Sequence, residues 1–237
     1  MRIAIISDVH ANLAALESIE EPYDQLLCLG DLVDYGPQPR EAVQWVRERA
    51  QRVIRGNHDH ALAYGVDCRC APVMREASVT TRQWHSQLLS PQEKEYLHGL
   101  PITERLEVAG ATFHLAHASP TGDLYDYHII PEAPDEVLTE SIKGIEADFI
   151  LLGHTHLPML RIIGKTTIVN PGSTGQPRHG DPRASYVVWE DGEVKFCRGA
   201  YDVSRTTALL KQAPLAHSVI SQLNSILESG GAKGDSY

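Results

Sequence analysis

Short apolar runs recur along the first 170 residues: RIAIIS (2–7), QLLCLG (25–30), RVIRG (52–56), TFHLAH (112–117), DFILLGH (148–154) and TTIVN (166–170). Continuous Ile, Leu and Val over so few positions fit strands buried on both faces, because a half-buried strand would alternate. Between several of these runs the apolar residues return every three or four positions, over 12–19, 40–50, 74–88 and 135–146. That spacing predicts helices. Further on, SYVVWED and GEVKFCRG flank Asp191-Gly192, a pair suited to a two-residue turn, and predict a hairpin. Strands alternating with helices predict an α/β fold, an open sheet covered by helices. Residues 60–100 are helical in pattern and broken by Pro72 and Pro91. They read as an insertion over the sheet edge, not a separate domain. The expected organisation is one domain over 1–202 and a C-terminal helical extension over 203–237. The extension holds two weakly amphipathic segments and ends in SGGAKGDSY, which has the composition of a mobile tail.

The totals narrow the class. A chain of 237 residues with 42% hydrophobic content can build a real core. No apolar run reaches the roughly 18 residues of a membrane span. The N-terminal run meets Asp8 and His10 too early for a signal peptide and reads as a first strand. Cys28 lies in an apolar run and reads as a core residue, while Cys68 and Cys70 lack a second pair at zinc spacing. Nothing demands an oxidising compartment, so the cytoplasm is the expected location. The net charge of −10, with no basic stretch, argues against nucleic acid as the main partner. It also poses a problem for any anionic substrate, which bound cations would solve locally.

The chemistry gathers where the strands end. Ligands of open α/β sheets collect at the carboxyl ends of strands. Asp8, His10, Asp31, Asn57, His117, His154 and His156 all fall just past predicted strand ends. Asp8 and His10, two apart in a turn, can address one ion. Asp31 has two carboxylate oxygens and can bridge two. Asn57 offers a neutral carbonyl oxygen. Asp, Asn and His donors without thiolates favour manganese, iron, zinc, nickel or cobalt over calcium. Each fragment alone has a blander reading: a turn or cap for SDVH, a strand and N-cap for GDLVD, a solvated loop for GHTH.

Taken in order, Asp8-Val9-His10, Gly30-Asp31-Leu32-Val33-Asp34, Gly56-Asn57-His58-Asp59, His117 and Gly153-His154-Thr155-His156 resemble the calcineurin-like metallophosphoesterases. The family pattern is D-x-H, G-D-x-x-D, G-N-H-D/E, a lone His and G-H-x-H. The resemblance covers at least residues 3–190, and NPGSTGQPRHGDPRASY (170–186) is similar to the bacterial and archaeal branch grouped with diadenosine tetraphosphatase-like proteins. It implies a two-sheet α/β sandwich with flanking helices. It implies one divalent ion on Asp8, His10, Asp31 and His156, and a second on Asp31, Asn57, His117 and His154, with manganese favoured. His58 would face the scissile phosphate and protonate the leaving group, with Asp59 holding it in orientation. A hydroxide bridging the ions would attack phosphorus. The implied substrate is a phosphoester, first a small or nucleotide-like diester. The alternatives are a Ser/Thr protein phosphatase, a dinucleoside polyphosphate hydrolase and a non-catalytic scaffold, which would dispense with metal and with His58.

Further candidates are weaker. Asn57, Ser173 and Arg178 are candidate phosphate contacts. The turn Asn170–Ser173 either cradles phosphate with its amides or only connects. Asp34 is expected to hydrogen-bond rather than ligate. His60, His85, His98 and His179 read as surface residues, and His114 as packed in its strand. Tyr125 and Tyr127 either stack on a substrate ring or pack their loop down. The sequence carries no signal for oligomeric state.

Overall fold

The computed structural model describes residues 1–231; the end of the expected mobile tail, 232–237, lies outside the described residues. Two five-stranded sheets face each other. The first holds β1 (Arg2–Ile6), β2 (Gln25–Cys28), β3 (Arg52–Val53), β9 (Ala184–Glu190) and β10 (Glu193–Gly199), in the order β10-β9-β1-β2-β3. The second holds β4 (Thr103–Val108), β5 (Ala111–Ala116), β6 (Phe149–Leu151), β7 (Met159–Ile163) and β8 (Thr166–Asn170), in the order β4-β5-β6-β8-β7. Each sheet has three neighbouring parallel strands, β1–β2–β3 reaching one edge of the first and β5–β6–β8 in the centre of the second, and antiparallel strands complete it. The apolar runs are therefore strands, as their pattern predicts, but they divide between two sheets instead of one. The strands β4 and β7 fall on stretches without a continuous apolar run. They are edge strands whose residues alternate with solvent, so polar and charged side chains are tolerated.

Alternation along each central strand serves two cores. Ile3 and Ile5 of β1 point between the sheets with Leu27, Phe113, Phe149, Val187 and Trp189. The rings of Phe113 and Phe149 stack at 5.2 Å and that of Trp189 meets Phe113 edge-on. Ala4 and Ile6 point outward and pack with Cys28 beneath Leu16 of α1 (Leu13–Leu16) and Ala42, Val43 and Val46 of α2 (Pro39–Arg49). On the far side Leu138 of α6 (Asp135–Ser141) covers Ile150 and Ile168. Each such buried side chain contributes roughly 1.5–3 kcal/mol.

The segment 60–100 contains most of α3 (Asn57–Tyr64), a 3-10 turn (Pro72–Met74), α4 (Arg75–Leu88) and α5 (Pro91–Gly99). Pro91 opens α5 behind a capping box of Ser90 and Glu93. Met74 and Ala77 share a cluster with Tyr35 and with residues of α7 (Val203–Leu210) and α8 (His217–Ser229). Residues 229–231, expected in the mobile tail, are placed instead: Gly180 N–H donates to Gly230 O at 2.9 Å, and both Gly230 and Gly231 are buried against Arg178 and Asp181.

Candidate metal centre and active site

The loops that leave β1, β2, β3, β5 and β6 converge at one edge of the sandwich. Asp8 and His10 follow β1, Asp31 follows β2, Asn57 opens α3 after β3, His117 follows β5, and His154 and His156 follow β6. Five of these residues, Asp8, His10, Asp31, His154 and His156, have left-handed backbone with φ from +45° to +67°. That conformation costs an ordinary residue about 1–2 kcal/mol, and the surrounding structure must hold it. Gly56 is needed for a different reason from the tight turn its place after a strand suggests. Its φ is −88°, in the ordinary region, but an added Cβ would overlap Asp31 Oδ1.

All seven side chains are buried, none more than 3% exposed. Asp8, His10 and His156 bring donor atoms within 4.8 Å of one another, and so do Asp31, His117 and His154. The hydrogen bonds around them decide what the space between them suits. His10 Nδ1–H donates to Val33 O (2.9 Å) and His156 Nδ1–H to Gln176 O (2.6 Å), so their Nε2 lone pairs face each other at 3.2 Å. His117 Nδ1–H donates to Leu29 O (2.6 Å), and its Nε2 lies 3.1 Å from both Asp31 Oδ2 and Asn57 Oδ1. Burial would lower this imidazole, but the Asp31 carboxylate outweighs that and raises it to about 9, so Nε2–H donates to Asp31 unless an ion lies between them. Asn57 spends its amide N–H on Cys68 O and turns its carbonyl inward. His154 Nδ1–H donates to Asn57 Oδ1 (3.1 Å), and its Nε2 is buried without a hydrogen-bond partner among the described residues. Acceptors facing acceptors in a dry space repel, unless a cation lies between them. Burial pushes His10 down to about 3 and lowers His154 and His156 well below the ordinary range, keeping them in the neutral form that ligates. Burial raises the Asp8 carboxyl to about 6. The Asp31 carboxyl is buried too, yet the charged imidazoles of His117 and His58 outweigh that and hold it low. The donor set thus fits divalent cations.

His58 stands beside this group, 4% exposed. The expectation that Asp59 orients it is corrected. Asp59 accepts backbone N–H groups from Asp31 (2.7 Å), Leu32 (2.8 Å) and Gly56 (3.0 Å), and so fixes the loop carrying Asp31. Two places into its helix, it points back along the chain as an N-terminal capping carboxylate does. The residue that holds His58 is Asp34, whose Oδ2 accepts His58 Nδ1–H at 2.7 Å. Asp34 Oδ2 also receives Arg82 Nη2–H (2.9 Å), Arg82 Nε–H (3.1 Å) and the Ser78 hydroxyl (3.3 Å). The carboxylates of Asp31 and Asp34 overcome the burial of His58 and raise it to about 10.

The weaker candidates sort differently. Ser173 is corrected: its hydroxyl donates to Asp8 O and accepts Gln176 N–H, both at 2.7 Å, and it is fully buried. Thr174 and Gly175 donate their N–H groups to Ser7 O and Asp8 O, so this turn ties the β1 loop down rather than facing a phosphate. Arg178 Nη2–H donates to Gln176 Oε1 (2.9 Å), and the charge of Arg178 acts on Asp8, His10 and His156. His85, expected in solvent, is fully buried, with Nδ1 accepting Asp34 N–H (3.0 Å) and Nε2–H donating to Gly36 O (2.9 Å). His60 and His98 flank the Tyr64 ring at 4.5 Å on either side. Tyr127 packs 4.0 Å from the His154 ring, and Tyr125 lies under Arg69. Sequence reasoning missed Tyr35, Arg82 and the buried role of His85. The signal for the last two was a polar stripe: Ser78, Thr81, Arg82 and His85 recur at helical spacing on one face of α4.

Comparison with known proteins agrees with this geometry. A solved metallophosphoesterase from Sphaerobacter thermophilus is 33% identical, with 97% of this chain and 100% of that one covered and a TM-score of 0.77. A hypothetical protein from Pyrococcus horikoshii OT3 shares the fold at 22% identity, with a TM-score of 0.83 over 97% of this chain and 98% of its own. Phosphodiesterase YfcE of Escherichia coli K12 is 26% identical over 201 residues, 78% of this chain and 85% of that protein. A family model, the calcineurin-like phosphoesterase superfamily domain, matches residues 1–215. The chain belongs to that superfamily, whose members are divalent-metal-dependent hydrolases of phosphoesters.

Proposed function

We propose that this hydrolase acts on small phosphodiesters and uses two divalent ions, manganese before iron, zinc, nickel or cobalt. The observation that carries the reading is the pair of inward lone pairs on His10 and His156, 3.2 Å apart, beside the Asp31–His117–His154 group. Asp8, His10, Asp31 and His156 would hold one ion, and Asp31, Asn57, His117 and His154 the other, with Asp31 shared. When bound, the ions supply positive charge at the phosphoryl oxygens and let a water ionise near neutral pH.

The chain's own residues do the rest. Val33, Leu29 and Gln176 carbonyls fix the imidazole orientations. Asp34 holds His58 by Nδ1 and leaves Nε2 for the departing oxygen. A proton delivered there as the P–O bond breaks is worth roughly 10²–10⁴ in rate. Burial of every one of these groups favours a small ester over a phosphoprotein, which needs an open groove. The diester preference is supported by likeness to a protein named as a phosphodiesterase.

The test is hydrolysis of bis-p-nitrophenyl phosphate and of p-nitrophenyl phosphate by protein loaded with each borderline metal across the neutral range. Diester hydrolysis with about two ions per chain is expected, and its loss in His58→Ala. Inactivity toward both esters with every one of those ions overturns the reading. So does full activity in His58→Ala, which would leave that imidazole without a part in the chemistry.

A further inference from the structure

The G-D-x-x-D motif ends at Asp34, and the next residue, Tyr35, has no part in the scheme above. Its position is unusual in four respects. Asp34 and Tyr35 are consecutive left-handed residues, both at φ +65°. Each costs about 1 kcal/mol or more, and a tyrosine side chain cannot bond its own backbone to offset that, as Asn or Asp can. Secondly, α4 grips this backbone with buried polar side chains: Thr81 Oγ1 accepts Tyr35 N–H at 3.0 Å, while His85 accepts from Asp34 and donates to Gly36. Thirdly, the ring is walled in by Met74 and Ala77 and by Leu210, Val219, Leu223 and Leu227 of the C-terminal helices. Finally, this packing delivers the phenol to the acid. The Tyr35 ring lies 4.8 Å from His10 and 4.9 Å from His58, and its Oη is 3.4 Å from His58 Nε2, the nitrogen that Asp34 leaves free.

The apolar wall explains an aromatic ring; the hydroxyl has two polar neighbours, the Cys70 thiol and His58 Nε2. Its place beside Nε2 puts it next to where the oxygen protonated by His58 would sit. With His10 and Gln176, Tyr35 also lines a cavity of about 10 Å³, room for one water. Resting on the phosphoesterase reading, we propose that Tyr35 is a catalytic residue whose hydroxyl donates a hydrogen bond to a substrate oxygen on the leaving side, beside His58. The phenol keeps its proton; it stabilises charge on that oxygen as the P–O bond lengthens. The α4 insertion, which also grips Asp34, and the C-terminal helices together hold this side chain in place.

The test is Tyr35→Phe, which preserves the ring and removes the donor, with metal content matched to the wild type. The first readout is the affinity of the manganese-loaded protein for inorganic phosphate, one of whose oxygens occupies the leaving side. Loss of one hydrogen bond to a charged oxygen should weaken it about tenfold or more. Unchanged phosphate affinity overturns the proposal, whatever the ester kinetics do. The second readout is kcat/KM on phenyl and p-nitrophenyl esters. A larger loss on the poorer leaving group is expected and places the contact on the ester oxygen; equal losses place it on a phosphoryl oxygen and overturn the assignment to the leaving side. Should the wild type bind two ions and hydrolyse neither ester, the functional reading falls, while phosphate affinity still decides whether Tyr35 touches the anion.

Discussion

Three carboxylates near His58 do separate work, and substitution separates them. Asp31 faces the candidate metal group, Asp34 holds His58, and Asp59 gathers three backbone amides. Asp34→Asn keeps the shape and weakens the grip on the imidazole. It is expected to lower kcat about 10- to 100-fold with metal content retained, and to cost about 1–3 kcal/mol because Arg82 loses its charged partner. Asp59→Asn places an amide N–H group where backbone donors already point. It is expected to destabilise by a similar amount and to loosen the Asp31 loop, so metal content falls with activity. Metal per chain and the unfolding midpoint, measured on both variants, separate the two. If Asp59→Asn kept its metal and lost only rate, the assignment of Asp34 as the positioning group would fail. This division was half legible in the sequence. G-D-x-x-D and G-N-H-D mark all three carboxylates, but which one reaches His58 depends on a helix that turns Asp59 away and a left-handed residue that turns Asp34 toward it.

Among the elements, α4 shows where pattern reading stops. Its period is helical, so the helix is legible, and its start and end fall within a residue or so of expectation. Its function is not legible, because the face turned inward is polar: Ser78, Thr81, Arg82 and His85 bond Asp34, Tyr35 and Gly36. Hydrophobic patterning sees burial only when it is apolar. The edge strands β4 and β7 escaped for the same reason in reverse, being half exposed and lacking an apolar run. The polar face of α4 gives a pH signature. Burial lowers His85 from the ordinary 6.5 to about 4, since the fold binds it neutral, as acceptor from Asp34 N–H and donor to Gly36 O. The unfolded chain therefore takes up this proton first as pH falls. The contribution is fully present above pH 6.5 and is lost progressively between 6.5 and about 4, to a total of about 3 kcal/mol. His85→Gln keeps a donor and an acceptor without titrating. Denaturant midpoints over that window should fall less steeply for the variant than for the wild type. Parallel curves would show that His85 does not carry the proton linkage.

Across the whole molecule, the candidate metal donors are divided between the two sheets. Asp8, His10, Asp31 and Asn57 hang from the first, and His117, His154 and His156 from the second. Below them the sheets are joined by the apolar layer of Ile3, Ile5, Leu27, Phe113, Phe149 and Trp189, which needs no ion. At the rim, the Nε2 lone pairs of the neutral His10 and His156 meet 3.2 Å apart in a dry space beside two buried carboxylates. Cations held there would clamp one sheet to the other by removing that repulsion, so metal binding is also folding energy. An ion present at about a hundred times its dissociation constant adds about 2.7 kcal/mol. For a chain of this size each kcal/mol moves the midpoint by about 2–4 °C, so manganese should raise Tm over the chelated protein by about 5–10 °C for each ion bound. Because the inter-sheet core stays intact, the chelated protein should still unfold cooperatively, at the lower temperature. His117→Ala removes a donor to one of the two ions and should abolish about half of the manganese-dependent rise. Thermal unfolding of both proteins with manganese and with a chelator measures this directly, and an identical Tm for the wild type under the two conditions would rule out a clamp at this edge of the sandwich.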